Sequence, residues 1–410
     1  MLTAGLMFAI FLEYVNPDSF VPVIGALKIG TIVPLFLLVL ALAQTEPVTN
    51  GRMFSHVNTK LILFFLFLLT FSVLISDVTM YSFKIFKNAL ANVFWFMMIV
   101  KLASDYDKIK KVFAALVWSH IIILVLNPSV ILEPESRSYL QAAPFLGDGN
   151  DFALSVCVVW PMCLILAKDA ESKIKKIVYY CALVVLVLSI IGTQSRGASL
   201  ALAASLLFLW LNSSRKLVHV VVIAIAVAGV FAFAPAEYFG RMGTLANYEQ
   251  EESAQGRIMA WKSGVRMAAK YPLTGVGSGH YPVALGTEFR PYEWGDQNLP
   301  WATAHSMYFL VLGELGLPGI ICLLLILIGN FRRLNRLKVE ARGSPLESSD
   351  EFYTLFLMLS ASLVGFCIGG AFLSVAYYPH IFVLSALAVA ATFAYERNIA
   401  AAKIGGGGSQ

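Results

Sequence analysis

Arg196 in IIGTQSRGASL, Arg257 in GRIMAWKSGVRMAAKYP and His305 in AHSMYFLVLGELGLPG are the residues whose types could do chemistry together. A guanidinium group stays charged at any working pH and presents a planar fork that pairs bidentately with phosphate oxygens. An imidazole can take a proton from a sugar hydroxyl near neutral pH. Two arginines and a histidine therefore suit a substrate that carries a diphosphate. Lys84 and Lys87, three residues apart on one face of a helix, could extend an anion site. Each of these residues also has a plainer reading: basic side chains snorkel to lipid headgroups, one arginine on an interfacial helix is a solvated face, and a histidine at a boundary can be a satisfied hydrogen-bonding group. Glu314 follows His305 by nine residues, which at about 100° per residue is roughly half a turn around a helix, so the two share no face. It reads as structural, pairing with a basic or hydroxyl group from a neighbouring helix.

The elements that position these residues are membrane helices. Of 410 residues 58% are hydrophobic and 13% charged, and the mean hydropathy is +0.75, too apolar for a soluble protein. Apolar runs long enough to cross a ~30 Å hydrocarbon core recur along the whole chain. The hydropathy pattern predicts about twelve transmembrane helices, at 3–15, 22–44, 59–76, 81–100, 109–126, 151–167, 176–193, 198–212, 217–234, 304–330, 352–375 and 379–396. With that layout nineteen of the thirty Lys and Arg fall on one side, which the positive-inside rule makes cytoplasmic, together with both termini. Arg196, Arg257 and His305 then all lie on the outer face, an agreement that counting inner-loop charges did not guarantee.

Two outer connections, 127–150 and 235–303, collect most of the remaining basic residues. The second is too long for a plain turn and is expected to be partly helical; Ile258, Trp261, Val265, Met267 and Ala268 at helical spacing, interleaved with Arg257, Lys262, Arg266 and Lys270, predict an amphipathic helix at the outer boundary. All five cysteines fall inside apolar runs and read as small hydrophobes. No cysteine–histidine cluster has zinc spacing, the outer connections lack a paired-Asp metal motif, and no metal or other cofactor is expected. GVGSG at 275–279 follows no strand and opens no βαβ unit, so it reads as a flexible turn rather than a phosphate loop. The first apolar run is followed by Asn16-Pro17-Asp18 rather than a cleavage site, and the terminal GGGGSQ, 405–410, reads as an appended linker. The expected organisation is one transmembrane catalytic domain, 1–404.

Four blocks in order, FLGDGNDFA (145–153), TQSRGASLAL (193–202), GRIMAWKSGVRMAAKYPLTGVGSGHY (256–281) and AHSMYFLVLGELGLPG (304–319), resemble the O-antigen ligase and polymerase superfamily of bacterial membrane glycosyltransferases. The resemblance covers about 140–330 and implies an all-α fold similar to class C glycosyltransferases, placed in the bacterial inner membrane with its active site facing the periplasm. It implies metal-independent, inverting transfer of a glycan from an undecaprenyl-diphosphate carrier to an acceptor hydroxyl. By motif position Arg196 and Arg257 would hold the diphosphate and His305 would activate the acceptor. Substrate contacts are further expected from Lys84, Lys87, Arg137, Asn150, Arg266 and His280. The sequence departs from the family pattern at Ser306, where Asn usually follows the motif histidine, and at His280, where Asn often follows GVG-x-G; His280 adds a second candidate base. A ligase acting on lipid A-core is the expected activity. The alternative is a polymerase that extends a growing polysaccharide with the same chemistry, and the reading from a different class is a transporter of lipid-linked sugars, which would need broken helices and midplane charges. The bilayer is an expected partner and nucleic acid is not.

Overall fold

A computed structural model describes residues 1–43, 52–133, 139–214, 216–217, 252–291 and 302–406. Residues 218–234 of the expected span 217–234 and the candidate Arg137 lie outside the described residues. The longer helices are α1 (Leu2–Val15), α2 (Ile29–Ala43), α3 (Val57–Ile75), α4 (Thr79–Leu102), α5 (Tyr106–Leu126), α6 (Gly149–Lys168), α7 (Lys173–Gly192), α8 (Arg196–Asn212), α9 (Glu252–Lys270), α10 (Met307–Arg342), α11 (Ser349–Gly369) and α12 (Pro379–Gly406). Among the described residues there is no strand, and the spanning segments satisfy their backbone groups chiefly within their own helices, as hydrocarbon requires.

Eight of these helices, α3 to α7 and α10 to α12, are long and apolar enough to cross a membrane. The chain is a multi-pass membrane protein on that ground, but the expected twelve spans are not all of spanning length. α1, α2 and α8 have 14, 15 and 17 residues, which at ~1.5 Å per residue falls short of a ~30 Å core. The expected single helix over 22–44 is two pieces, because Lys28 takes a left-handed φ of 50° between Pro22–Ala26 and Ile29–Ala43.

α6 and α12 form the centre. Every residue from Phe152 to Cys163 and from His380 to Tyr395 is buried. α6 packs against α5, α7, α8 and α11, and α12 against α4, α5, α10 and α11. α8 meets this centre through Gly197, Ala201, Ser205 and Leu209, a buried face at four-residue spacing whose small side chains let backbones approach. Exposed apolar side chains cover the outer helices instead, among them Ile32, Phe36 and Val39 of α2, Phe64 and Phe67 of α3, and Ile177 and Val184 of α7. That distribution is the reverse of a soluble protein's and suits a lipid-facing surface.

α10 extends past the expected end at 330 to Arg342, and it is broken at Gly316, where φ is 64° and ψ −159°. The cause is local chemistry. Pro318 has no N–H, so the Glu314 carbonyl has no helical donor. The segment after α9 fills the gap: Val276 N donates to Gly313 O at 2.9 Å, Gly277 N to Glu314 O at 3.0 Å, and Leu317 N donates to Pro272 O at 2.8 Å. Close approach demands glycine on both sides, since a Cβ on Gly316 would stand 2.5 Å from Pro272 O and one on Gly275 (φ 61°) would collide with the Glu314 backbone. GVGSG is therefore a packed brace rather than the expected flexible turn. Ser278 extends it to the neighbouring helices, with its N–H donating to Ser72 Oγ at 2.6 Å and its carbonyl accepting from Ser82 Oγ.

Candidate functional site

The turn that carries Arg196 joins α7 to α8. Gln194 adopts a left-handed φ of 52°, Ser195 caps α8 by accepting from Ala198 N, and Arg196 is its first helical residue. Arg257 lies on α9 one turn before Trp261. The Trp261 indole stacks on Phe309 of α10 at 5.2 Å, and its Nε1 donates to Ala304 O at 2.9 Å. This contact ties α9 alongside the first half of α10 and brings Arg257 level with the residues that precede it. His305 sits in that preceding segment, held on the other side by Thr303 Oγ1 donating to Ser374 Oγ at 3.0 Å and Met307 N donating to Gly370 O at 2.8 Å.

His305 has a left-handed φ of 47°. For a side chain with a Cβ that backbone costs about 1 kcal/mol and persists only where the surroundings over-determine it. The surroundings here are a cavity of about 490 Å³ lined by Arg196, Arg257 and His305, three residues from separate segments of the chain. Asp148, Asn150, Asp151, Gln194, Ser195, Thr303, Ser374 and Tyr378 also line it.

Four helices begin at this cavity: α6 after Asp148, α8 after Ser195, α10 after Ser306 and α12 after Tyr378. Each N-terminus carries roughly half a positive charge. Added to two guanidinium groups, these ends make an environment for a multiply charged anion. The opposite ends of the same helices carry the ion pairs Lys168–Asp350 and Arg333–Glu396, with Lys110–Asp169 and Arg52–Glu396 beside them. Cavity and ion-pair belt thus occupy opposite faces of the bundle. Among the described residues no cluster of three or more His, Cys, Asp or Glu could hold a metal ion.

Two carboxylates stand on the wall formed by α6. Asp148 caps that helix, its Oδ1 accepting from the Asn150 backbone N and from Asn150 Nδ2, both at 2.9 Å. Asp151 accepts from the Tyr378 hydroxyl at 3.2 Å. Burial first, and then the Asp151 charge, push the Tyr378 hydroxyl above its ordinary pKa, so it remains a donor.

Of the residues expected from sequence, the cavity brings together Arg196, Arg257, His305 and Asn150. Lys84, Lys87, Arg266 and His280 stand elsewhere. Lys84 and Lys87 are exposed on α4. Arg266 donates to Phe289 O at 3.0 Å and to Ser263 Oγ at 2.8 Å, fastening α9 to the chain that follows it. His280 Nδ1 lies 3.0 Å from Val276 O, within the brace. Glu314 has the hydroxyl partner expected of it: Tyr377 OH donates to Oε2 at 2.8 Å, and Tyr281 N donates to Oε1 at 3.2 Å. Sequence reading passed over Asp148, Asp151, Gln194, Ser195 and Tyr378. The D-x-x-D at the start of α6 was a signal available for the first two, whereas nothing local marks Tyr378.

No curated protein matches the chain. Residues 181–324 match a family model described as O-Antigen ligase, a stretch that runs from within α7 into α10 and holds Arg196, Arg257 and His305. The match agrees with the resemblance carried by the motif blocks and supports the O-antigen ligase and polymerase superfamily for residues 181–324.

Proposed function

We propose that the protein is a membrane glycosyltransferase of the ligase type, moving a glycan from an undecaprenyl-diphosphate carrier to an acceptor hydroxyl at the cavity, on the periplasmic side of the bacterial inner membrane. The observation that supports this most is the convergence of Arg196, Arg257 and His305 on one cavity. In the proposed reaction the acceptor oxygen forms a bond to the anomeric carbon while its proton passes to the His305 imidazole. The bond from the anomeric carbon to the diphosphate oxygen breaks, and its electron pair leaves with the lipid diphosphate. Arg196, Arg257 and the surrounding helix ends stabilise that charge, so the leaving group needs no general acid and the scheme needs no divalent ion. Attack from the face opposite the diphosphate inverts the anomeric centre. The imidazolium then gives its proton to water.

The charge belt supports the periplasmic side: basic residues gather at the end of the bundle remote from the cavity, the end that the positive-inside rule favours for the cytoplasm. A transporter would also use a broken helix with a buried carboxylate, as α10 has at Gly316 and Glu314. Here the groups freed by the break are taken by 272–277 and the Glu314 side chain by Tyr377 and Tyr281, which supports reading the region as a joint rather than an ion path.

The test is incubation of purified protein with a carrier-diphosphate-linked oligosaccharide and two acceptors, lipid A-core and a second carrier-linked repeat unit, with and without EDTA. Transfer to lipid A-core that survives EDTA is expected. Transfer only to the carrier-linked unit would make the protein a polymerase, and a strict divalent-ion requirement would overturn the arginine scheme.

A further inference from the structure

The cavity has an acidic wall that the diphosphate chemistry does not use. Arg196 and Arg257 match the donor, and the helix ends add to them. Asp148 and Asp151 would repel a diphosphate brought against them, so this side must face something else. Asp148 turns its Oδ1 onto its own helix start through Asn150. Asp151 instead takes its hydrogen bond from across the cavity, from Tyr378, and a carboxylate has about four acceptor sites, of which this bond occupies one.

Tyr378 is fixed in place through its neighbour: Tyr377 OH donates to Glu314, and the Tyr377 carbonyl accepts from Asn92 Nδ2 at 3.1 Å. The Asp151 carboxylate therefore has a set position, partly buried, on the wall of the same cavity that holds the candidate base. A ligand rich in hydroxyl donors satisfies it. A ligand carrying phosphate or carboxylate at this point brings further acceptor oxygens against those of Asp151, with Asp148 beside them, and offers no donor to satisfy them.

Resting on the function proposed above, we propose that Asp151 binds the acceptor, that it selects an acceptor whose terminal sugar is an uncharged polyol, and that Tyr378 is the residue that positions it. The reacting hydroxyl faces His305, and a neighbouring hydroxyl of the same sugar donates to Asp151.

The experiment uses the full-length protein in lipid vesicles, a carrier-diphosphate-linked oligosaccharide as donor, and two acceptors: a lipid bearing a neutral terminal hexose and the same lipid phosphorylated on that hexose. Wild type is expected to prefer the neutral acceptor. Asp151→Asn is expected to raise the KM for the neutral acceptor about tenfold, to lower discrimination against the phosphorylated one by a similar factor, and to leave the donor KM within about twofold. Tyr378→Phe should move the acceptor KM the same way by a smaller factor; a merely structural role would change kcat or yield for donor and acceptor alike. An Asp151→Asn enzyme with both acceptor terms unchanged, or with a raised donor KM, overturns the inference while leaving the transferase reading intact. If that variant does not fold, an unchanged acceptor KM in Tyr378→Phe overturns it equally. A wild-type protein that transfers to neither acceptor overturns the transferase reading and this inference with it.

Discussion

In the proposed reaction Arg196 and Arg257 do the same job from different supports, one on the first turn of α8 and one on α9. Both are chosen for the fork geometry of the guanidinium, which an ammonium group cannot reproduce at a bidentate contact. Replacing either by Lys is expected to lower the transfer rate by about a hundredfold with protein yield unchanged, measured with donor in excess. These two residues and His305 were legible because each lies in a motif block with its own local signature. Asp151 and Tyr378 were not, since the partner of Asp151 is 227 residues further along and nothing near YYP in sequence points to a carboxylate. Asn150 was singled out where its neighbours Asp148 and Asp151 were passed over, although D-x-x-D at a helix start holds both a capping residue and an inward-facing one.

The helices were readable as apolar runs, and eleven of the twelve expected spans correspond to described helices. What the runs could not disclose is the break in α10. LGELGLPG holds the local cause in Pro318, but the feature that keeps the break open, a second backbone close enough to replace the missing hydrogen bonds, comes from residues 272–277 and not from any apolar run. The same blindness made GVGSG look like a loose turn. Gly275→Ala is expected to lower the thermal midpoint of the detergent-solubilised protein by an amount equivalent to at least about 2 kcal/mol, because its Cβ meets the Glu314 backbone in a conformation that alanine already disfavours. Glu314→Ala leaves the Tyr377 hydroxyl and the Tyr281 amide without an acceptor inside the bundle, and a loss of about 2 kcal/mol is expected there too. Glu314→Gln keeps an acceptor oxygen, so a smaller loss is expected in the same melting experiment.

At the scale of the whole molecule, the cavity face and the charged ion-pair face lie at opposite ends of the bundle, with two buried helices, α6 and α12, running between them. If the cavity opens to the periplasm, a cysteine replacing exposed Lys87 should react with a membrane-impermeant maleimide added to intact cells, and one replacing Arg336 should react only after lysis, both in a background with exposed Cys181 changed to Ser. The opposite pattern would invert the topology. The claim beneath all of this is that one imidazole from the segment before α10 and two guanidinium groups from distant helices act on a single carrier-linked glycan. Its most direct test is the rate of glycan transfer by purified wild type, His305→Ala and His280→Ala proteins in vesicles under identical donor and acceptor concentrations. The rate of His305→Ala is expected to fall by at least about a hundredfold while the protein folds normally, and that of His280→Ala to stay within about threefold of wild type. A His305→Ala protein that still transfers at the wild-type rate would contradict that claim.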